Sequence, residues 1–207
     1  MAGGETMTDS ATWTERYAAA AMVWDTTPNQ FVVEVCGPLP PGRALDLGAG
    51  EGRNAIWLAG RGWQVTAVDF ASIAVGRIAS HAALQNVRLD AIIANALAYH
   101  PAPNSYDLAL LCYLQLPAMQ LRKAISNAVG GLDTAGRLVL VAHDESNLLN
   151  GYGGPKDPDR LTNPEAVAKI AADLGLKVVR AEVVQREVRT DQGIRIAQDH
   201  VVEAVRP

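Results

Sequence analysis

Short apolar runs alternate with segments of helical pattern from residue 44 to residue 142, and this alternation restricts the possible fold more than any other feature of the chain. The apolar runs are at residues 44–47, 63–68, 87–93, 106–111 and 137–142. Their side chains do not alternate in polarity, which is typical of strands that are covered on both faces in a parallel sheet. Helices are predicted between them at residues 54–60, 72–84 and 117–132. The pattern therefore predicts an α/β fold with a Rossmann-like, doubly wound sheet.

The end of the chain has a different pattern. Thr162 or Asn163 is placed to cap a helix that has Pro164 in its first position. Two strand-like runs follow at residues 177–189 and 193–206, and only the short segment "TDQG" separates them. A turn this short requires the two strands to be antiparallel. The complete prediction is a seven-stranded sheet that is mostly parallel and has a C-terminal antiparallel hairpin.

The length of 207 residues fits a single domain, which we place at residues 13–207. Residues 1–12 are predicted to be disordered. Helical patterns at residues 14–21 and 29–36 precede the segment "GPLPPG", in which a helix cannot continue. We interpret residues 13–40 as an N-terminal helical lid segment of the domain.

Composition excludes several classes of function. The net charge of −4 argues against a general nucleic-acid-binding protein, and no apolar run approaches the length that crosses a bilayer. Cys36 and Cys112 lie far apart without a metal-binding spacing, so we expect neither a disulfide nor a bound metal. Reduced cysteines fit a cytoplasmic protein. The expected partner is a small molecule, with no nucleic acid and no membrane, and the expected state is a monomer or weak homodimer.

Three glycines, Gly48, Gly50 and Gly52, separate the first apolar run from the first helix of the alternating region. Glycines in such a loop allow a sharp turn and let a ligand approach the backbone closely. A GxGxG run alone is a weak indication, but Asp69 closes the next apolar run. An acid about 20 residues after such a loop is placed to accept hydrogen bonds from ribose hydroxyls. The segment therefore indicates a site for a nucleoside-bearing cofactor.

The charges around the glycines distinguish between cofactors. A dinucleotide-binding loop has the spacing GxGxxG, whereas this chain has GxGxG. Asp46 precedes the glycines and Glu51 lies among them, and both carboxylates would repel a pyrophosphate. They suit a ligand with an ammonium group, such as S-adenosylmethionine. An NAD(P)-dependent oxidoreductase and a non-catalytic S-adenosylmethionine-binding protein remain the alternatives.

Four segments of the chain resemble motifs of the class I S-adenosylmethionine-dependent methyltransferases. They are "ALDLGAGEGRNAIWLA", "VTAVDF", "YDLALLCYLQLP" and "LDTAGRLVLVA". Within that superfamily, "GRN", the leader "WTERYAAAAMVWDTTPN" and "VRTDQGIRI" are similar to the tellurite-resistance and thiopurine methyltransferase-like branch. The resemblance covers residues 13–206.

The resemblance implies a set of cofactor-binding residues. Asp46 and the loop glycines would hold the methionine moiety, and Asp69 would bind the ribose. Asn95 stands where the family commonly has an aspartate that binds the adenine amino group. The full predicted set is Asp46, Gly48, Ala49, Gly50, Gly52, Asn54, Asp69, Phe70, Asn95, Ala96, Cys112 and, in the leader, Tyr17 and Trp24.

Candidate catalytic and acceptor-binding residues follow the fourth and fifth strands. Tyr113 and Gln115 are expected near the transferable methyl group, although packing at a strand–helix junction also explains them. His143 is a candidate general base, because its ordinary pKa lies near neutrality. The competing interpretation is a hydrogen-bonded structural histidine. Arg189 and Arg195 align with hairpin arginines of the tellurite-resistance branch, where the resemblance implies that they face an oxyanion acceptor. The competing interpretation is that they are surface residues of the hairpin.

Three other histidines, His81, His100 and His200, have no acidic partner in a visible motif, so we interpret them as surface or packing residues. The predicted reaction is transfer of a methyl group to a small-molecule acceptor by in-line displacement, with S-adenosylhomocysteine as product. The acceptor atom would belong to a thiol, a hydroxyl, an amine or a chalcogen oxyanion. Such a reaction depends mainly on alignment and desolvation and needs no nucleophilic residue.

Overall fold

The computed structural model describes residues 18–19 and 26–207. The predicted helix at residues 14–21 and the lid residues Tyr17 and Trp24 fall mainly or wholly outside these ranges. In chain order the elements are α1 (Gln30–Cys36), β1 (Arg43–Leu47), α2 (Arg53–Gly60), β2 (Gln64–Asp69), α3 (Ser72–Leu84), β3 (Asp90–Ile93), β4 (Tyr106–Cys112), α4 (Ala118–Gly130), β5 (Leu132–His143), α5 (Asn147–Asn150), α6 (Pro164–Asp173), β6 (Lys177–Thr190) and β7 (Gly193–Val205). A single 3₁₀ turn, Pro158–Arg160, precedes α6.

The seven strands form one sheet in the order β3-β2-β1-β4-β5-β7-β6. The first five are mutually parallel, whereas β7 is antiparallel to both β5 and β6. Each face of the sheet has its own apolar core. One contains Phe31, Leu58 and Ile78 from α1, α2 and α3, and the other contains Leu121 and Val167 from α4 and α6. The doubly wound seven-stranded sheet predicted from the sequence is confirmed.

The strand register brings the site residues to one edge of the sheet. Asp46 of β1 pairs with Leu110 of β4, so the segments after these two strands begin side by side. At the same edge, His143 ends β5 opposite Asp199 of β7. The carboxyl ends of parallel strands form the usual ligand-binding edge of such sheets.

Some predicted element boundaries are wrong. The third strand begins at Asp90 rather than at residue 87, and its pairing with β2 begins there, between Thr66 and Asp90. The fifth strand begins at Leu132, the residue at which the predicted helix ends. Its first pair, Leu132 with Tyr106, is separated from the rest of the β4–β5 pairing by an irregularity that includes Ala135, which has a φ of 60°. The bounds of α3, Ser72–Leu84, agree with the prediction, and Ala71 occupies its cap position.

Two predicted helix ends agree with the structure. Asn163 caps α6 by accepting a hydrogen bond from the backbone N–H of Ala166 at 2.8 Å, and Pro164 is the first helical residue. Asn29 caps α1 in the same way. Among the helices in the described part of the chain, none has the length and apolar character needed to span a membrane.

Candidate cofactor and acceptor site

The glycine loop, residues 48–52, connects β1 to α2 in a conformation that favours glycine. Gly48, Gly50 and Gly52 have φ values of 81°, 57° and 83°. A Cβ atom on Gly48 would lie 2.8 Å from Cδ1 of Leu114, and one on Gly52 would lie 2.7 Å from Cγ1 of Ile78. The glycines are therefore required both by backbone geometry and by close packing.

The carboxylate of Asp69 holds this loop in place. Its Oδ2 accepts a hydrogen bond from the backbone N–H of Gly50 at 2.8 Å, and its Oδ1 accepts one from Ala71 at 2.9 Å. Burial raises the pKa of Asp69, and these amide hydrogen bonds oppose the rise. Each oxygen of a carboxylate can accept about two hydrogen bonds, so each oxygen retains one position for a ligand hydroxyl.

Asp46 is the most unusual side chain at this edge. It is 1% exposed, and neither of its carboxylate oxygens accepts a hydrogen bond of normal geometry from the described residues. Burial raises its pKa to about 7, with a contribution from the charge of Asp69, while Arg53 and the amide of Ala55 oppose the shift. A buried carboxylate without partners is costly unless a ligand supplies a donor or a positive charge.

Glu51 does not contribute its charge to a ligand in the way the sequence suggested. Its side chain is buried and forms an ion pair with Arg77 of α3 at 2.5 Å. The pair fastens the glycine loop to the following helix. Of the two acids expected to attract a cationic ligand, Asp46 is thus the one that lacks a cationic partner within hydrogen-bonding distance in the described chain.

The residues expected around an adenine lie after β2 and β3. Phe70 is half-buried and packs near Ala71 and Ala74. Asn95 is exposed, and its side-chain oxygen accepts a hydrogen bond from the backbone N–H of Leu97 at 2.9 Å. Ala96 is buried, and its carbonyl accepts from the side chain of Asn127. Within this turn, Asn95 thus uses its side-chain oxygen, and its NH₂ group donates no hydrogen bond there.

Beyond β4 the chain turns through Tyr113, which has a φ of 56°. Positive φ at a bulky non-glycine residue is uncommon and often occurs at functional sites. Asn54 accepts a hydrogen bond from the backbone N–H of Asn29, and the side chain of Asn29 donates to the Tyr113 hydroxyl at 3.3 Å. Burial raises the pKa of the neighbouring Cys112 to about 12, so its thiol stays protonated.

A buried network centred on Asp199 joins the end of β4 to the C-terminal hairpin. The Tyr113 hydroxyl donates to Oδ2 of Asp199 at 2.6 Å, and Nε of Arg186 donates to the same oxygen at 2.7 Å. Nδ1 of His143 lies 2.8 Å from Oδ1. Asp199 is 0% exposed; although burial works to raise its pKa, the hydrogen bonds from His143, Arg186 and Tyr113 hold it below its usual value.

Tyr113 and His143 therefore belong to one network. Their rings pack with centroids 4.8 Å apart. Burial, followed by the charge of Asp199, raises the pKa of Tyr113, so the hydroxyl remains protonated at neutral pH. Nδ1 is the ring nitrogen of His143 that contacts Asp199, and Nε2 is the ring nitrogen that does not. Neither Asp199 nor Arg186 was among the residues predicted from the sequence.

The structure places His200, interpreted from the sequence as a surface or packing residue, in the core. Its ring is fully buried, and Nδ1 lies 3.7 Å from Oδ2 of Asp144, beyond hydrogen-bonding distance. The other oxygen of Asp144 accepts hydrogen bonds from Ser146. Burial lowers the pKa of His200 to about 4, which keeps the ring neutral, as a packing residue requires.

A cavity of about 220 Å³ lies beside Tyr113. Its walls are residues 27–28 and Asn29, Gln30, Arg53, Tyr113, Arg186 and Glu187. The guanidinium carbon of Arg53 lies 5.9 Å from the centroid of the Tyr113 ring, and that of Arg186 lies 5.8 Å from it. Arg53 begins α2 directly after the glycine loop, so the cavity adjoins that loop.

The remaining predicted residues lie away from these contacts. Gln115 is half-buried in the segment between β4 and α4. Arg189 and Arg195 are exposed on the hairpin, where Arg195 donates to Gln192. Tyr17 and Trp24 are outside the described residues. In the described part of the chain, no group of three potential metal ligands comes together.

Comparisons with known proteins match parts of the chain. Residues 44–136 match the family of methyltransferase domains. A segment of 106 residues is 32% identical to "Hemagglutinin 1" of Eikenella corrodens, and the chain spans only 34% of that relative's length.

Three solved structures show the same fold at low sequence identity. A protein described in the conversion of a disulfide bond into a thioacetal group during echinomycin biosynthesis has a TM-score of 0.76 and 16% identity, over 95% of this chain and 92% of that chain. TehB from Haemophilus influenzae has a TM-score of 0.71 and 16% identity, over 96% and 67%. Magnesium protoporphyrin IX methyltransferase from Synechocystis PCC 6803, with bound SAH, has a TM-score of 0.64 and 18% identity, over 100% and 90%.

Proposed function

Because this chain has the class I methyltransferase fold and residues 44–136 carry a methyltransferase domain, we propose that it transfers a methyl group from S-adenosylmethionine to a small-molecule acceptor. The observation that carries the proposal is the unpartnered carboxylate of Asp46 beside the glycine loop. S-adenosylmethionine supplies an activated methyl group on a sulfonium and an ammonium group that suits this carboxylate.

The remaining residues around the loop support the same ligand. Asp69 has one free acceptor position on each oxygen for the two ribose hydroxyls, while its other hydrogen bonds keep the loop in place. Phe70 offers an apolar surface for the adenine, and the side chain of Asn95 offers polar groups at its rim. Ala49, Asn54 and Cys112 are proposed to line the site at the methionine moiety, and the backbone of Ala96 is proposed to assist Asn95 at the adenine.

A dinucleotide fits these residues less well. A pyrophosphate carries negative charge and is normally bound at the N-terminus of the helix after a glycine loop. Here Asp46 is buried near the end of β1, just before the loop. Its carboxylate would repel a pyrophosphate, whereas it would attract a sulfonium and an ammonium group. This difference favours S-adenosylmethionine over NAD(P).

The chain's own residues have mainly a positioning role in the proposed reaction. In-line displacement from a sulfonium needs alignment and exclusion of water more than it needs chemical assistance. The protonated hydroxyl of Tyr113 orients Arg186 and Asn29 at the edge of the cavity. His143 is the group proposed to accept a proton from a hydroxyl, amine or thiol acceptor, because its Nδ1 lies 2.8 Å from Asp199 and its Nε2 does not contact that carboxylate.

An acceptor-panel assay tests this proposal. The protein is incubated with S-adenosylmethionine and a panel of small thiols, phenols, amines and chalcogen oxyanions, and release of S-adenosylhomocysteine is measured. We expect release above the rate without acceptor for at least one class. In a parallel reaction, Asp69→Ala should reduce the release, whereas Asp90→Asn, an exposed acid at the beginning of β3, should not. Cofactor binding without release in any arm would favour a non-catalytic binding protein.

A further inference from the structure

We propose that the cavity beside Tyr113 binds an oxyanion group of the acceptor, a carboxylate or a phosphate, through the terminal guanidinium nitrogens of Arg186. This inference rests on the proposed function, and it adds the chemical class of the acceptor. The group bound by Arg186 is distinct from the atom that receives the methyl group.

Arg186 is held in one orientation by contacts on its inner side. Its Nε donates to Asp199 at 2.7 Å and to the Tyr113 hydroxyl at 3.1 Å. Asp199 is itself fixed by His143 and is completely buried. Arg186 lines the cavity. Its terminal nitrogens donate no hydrogen bond to any of the described residues, since both of its hydrogen bonds come from Nε. Two parallel N–H donors match the geometry of a carboxylate or phosphate.

Arg53 adds a second positive charge to the same cavity. No carboxylate in the described part of the chain forms an ion pair with it, and both guanidinium groups lie within 6 Å of the Tyr113 ring centroid. An arginine that lines a cavity without a carboxylate partner is a common means of binding an anion. The two arginines come from distant parts of the chain, one from the start of α2 and one from β6.

The negative charges near the cavity do not cancel this arrangement. Asp199 lies behind Arg186 and is already bonded on both oxygens. Asp46 is buried at the end of β1, and in the cofactor-bound protein the ammonium group of the proposed ligand would balance its charge. Glu187 also lines the cavity, but it is exposed, so solvent screens its charge.

The test measures anion binding directly. Affinity for S-adenosylhomocysteine is first measured by calorimetry. The uniformly ¹⁵N-labelled protein, saturated with S-adenosylhomocysteine, is then titrated with sodium benzoate, and the Nε–H resonance of Arg186 is followed by NMR. Benzamide, which has the same shape without the charge, is the matched neutral probe, and sodium phosphate distinguishes a phosphate site from a carboxylate site. We expect saturable binding of benzoate or of phosphate, and affinity for that anion about tenfold or more above that for benzamide.

Variants separate this site from general charge effects. Arg186→Gln should lose about tenfold or more in anion affinity, and Arg186→Lys should recover part of it. The matched control is Arg88→Gln, which removes the same charge from an exposed position before β3, at the other edge of the sheet. Circular dichroism establishes that each variant is folded.

Several results would overturn the inference. One is equal binding of benzoate and benzamide with no response to phosphate; another is unchanged anion affinity in Arg186→Gln. A third is loss of S-adenosylhomocysteine affinity in Arg186→Gln, which would assign Arg186 to the cofactor's own carboxylate. If S-adenosylhomocysteine fails to bind the wild type, that result contradicts the methyl-transfer proposal alone. The anion titration is then carried out on the ligand-free protein, and its outcome tests the anion site separately.

Discussion

Replacing Asp46 by asparagine should make the ligand-free protein more stable and, at the same time, weaken cofactor binding. The carboxylate is 1% exposed and has no hydrogen-bond partner of normal geometry among the described residues. Its ionised form is therefore unfavourable in the folded state without ligand. The substitution removes this charge and leaves the shape of the side chain almost unchanged.

The size of the effect follows from the pKa of Asp46, which rises from 3.8 to about 7 on folding. One pKa unit corresponds to about 1.4 kcal/mol, so ionisation of Asp46 lowers the free energy of unfolding by about 4 kcal/mol above pH 7. An asparagine amide without partners itself costs about 1–3 kcal/mol, which leaves a net gain of about 2 kcal/mol for Asp46→Asn at pH 8.

The sign of the pH dependence is also defined. Between pH 4 and pH 7 the folded state keeps a proton on Asp46 that the unfolded state has released, so stability falls as the pH rises through this window. Below pH 4 both states are protonated and the carboxylate costs nothing. The stability advantage of Asp46→Asn should therefore be largest above pH 7, and it should become a disadvantage of about 2 kcal/mol towards pH 4, where only the cost of the amide remains.

Cofactor binding should have the opposite dependence. An ammonium group beside Asp46 favours the ionised form, so wild-type affinity for S-adenosylhomocysteine should rise by up to about tenfold per pH unit below pH 7 and then level off. In Asp46→Asn this contribution to the rise should be absent, and the affinity at pH 8 should be lower than in the wild type.

Urea denaturation and calorimetric titration at pH 5, 6, 7 and 8 measure both effects. Asp90→Asn is the matched control, because it makes the same substitution at an exposed position in the same sheet. The reasoning is refuted if Asp46→Asn is no more stable than the wild type at pH 8, or if it binds S-adenosylhomocysteine with wild-type affinity and pH dependence.

Three further substitutions have defined outcomes. Asp69→Ala should weaken S-adenosylhomocysteine binding by about 1–3 kcal/mol by calorimetry, because it removes ribose acceptors and releases the Gly50 amide; unchanged affinity would contradict the ribose assignment. Gly48→Ala should lower the free energy of unfolding in urea by more than about 1 kcal/mol, since its φ is 81° and its Cβ would meet Leu114 at 2.8 Å; a neutral result would argue against this loop geometry. Asp199→Asn should destabilise by about 3–5 kcal/mol at pH 7, because it leaves Arg186 half-buried without its carboxylate. The pKa of Asp199 is lowered on folding, so this loss should diminish as the pH falls below about 4, and a pH-independent loss would contradict the ion-pair explanation.

The order of strands and helices was predictable because the apolar runs that form the sheet are short, continuous and separated by amphipathic segments. The terminal hairpin was predictable from the short turn between two strand-like runs. Boundaries were less predictable where they depend on a neighbouring strand. Residues 87–89 have strand-like side chains, yet β3 begins only at Asp90, where its pairing with β2 begins. The start of β5 depends on an irregular pairing with β4 around Ala135, which no local propensity indicates.

The candidate cofactor site was largely visible in the sequence, because the glycines and Asp46 lie in one short segment. Asp69 follows at the spacing that a strand–helix–strand unit requires. Even there, the sequence did not indicate that Glu51 is neutralised by Arg77, which α3 brings alongside the loop.

The acceptor side was much less visible. Asp199 and Arg186 reach Tyr113 and His143 only through the pairing of β5, β6 and β7, across 86 residues of chain in the case of Tyr113 and Asp199. In sequence they appear as ordinary charged residues of a hairpin. The arginines favoured from the sequence, Arg189 and Arg195, are exposed. An indication was available in the strand pattern, since Arg186 and Arg189 are three positions apart and so face opposite sides of the strand.

The central claim is that the site around Asp46 and the glycine loop binds a ligand that is cationic at one end and carries a ribose at the other. Parallel calorimetric titrations of the wild-type protein with S-adenosylhomocysteine and with NADH at pH 8 test it most directly. We predict saturable one-to-one binding of S-adenosylhomocysteine and no measurable binding of NADH. Binding of NADH with no response to S-adenosylhomocysteine would contradict the account.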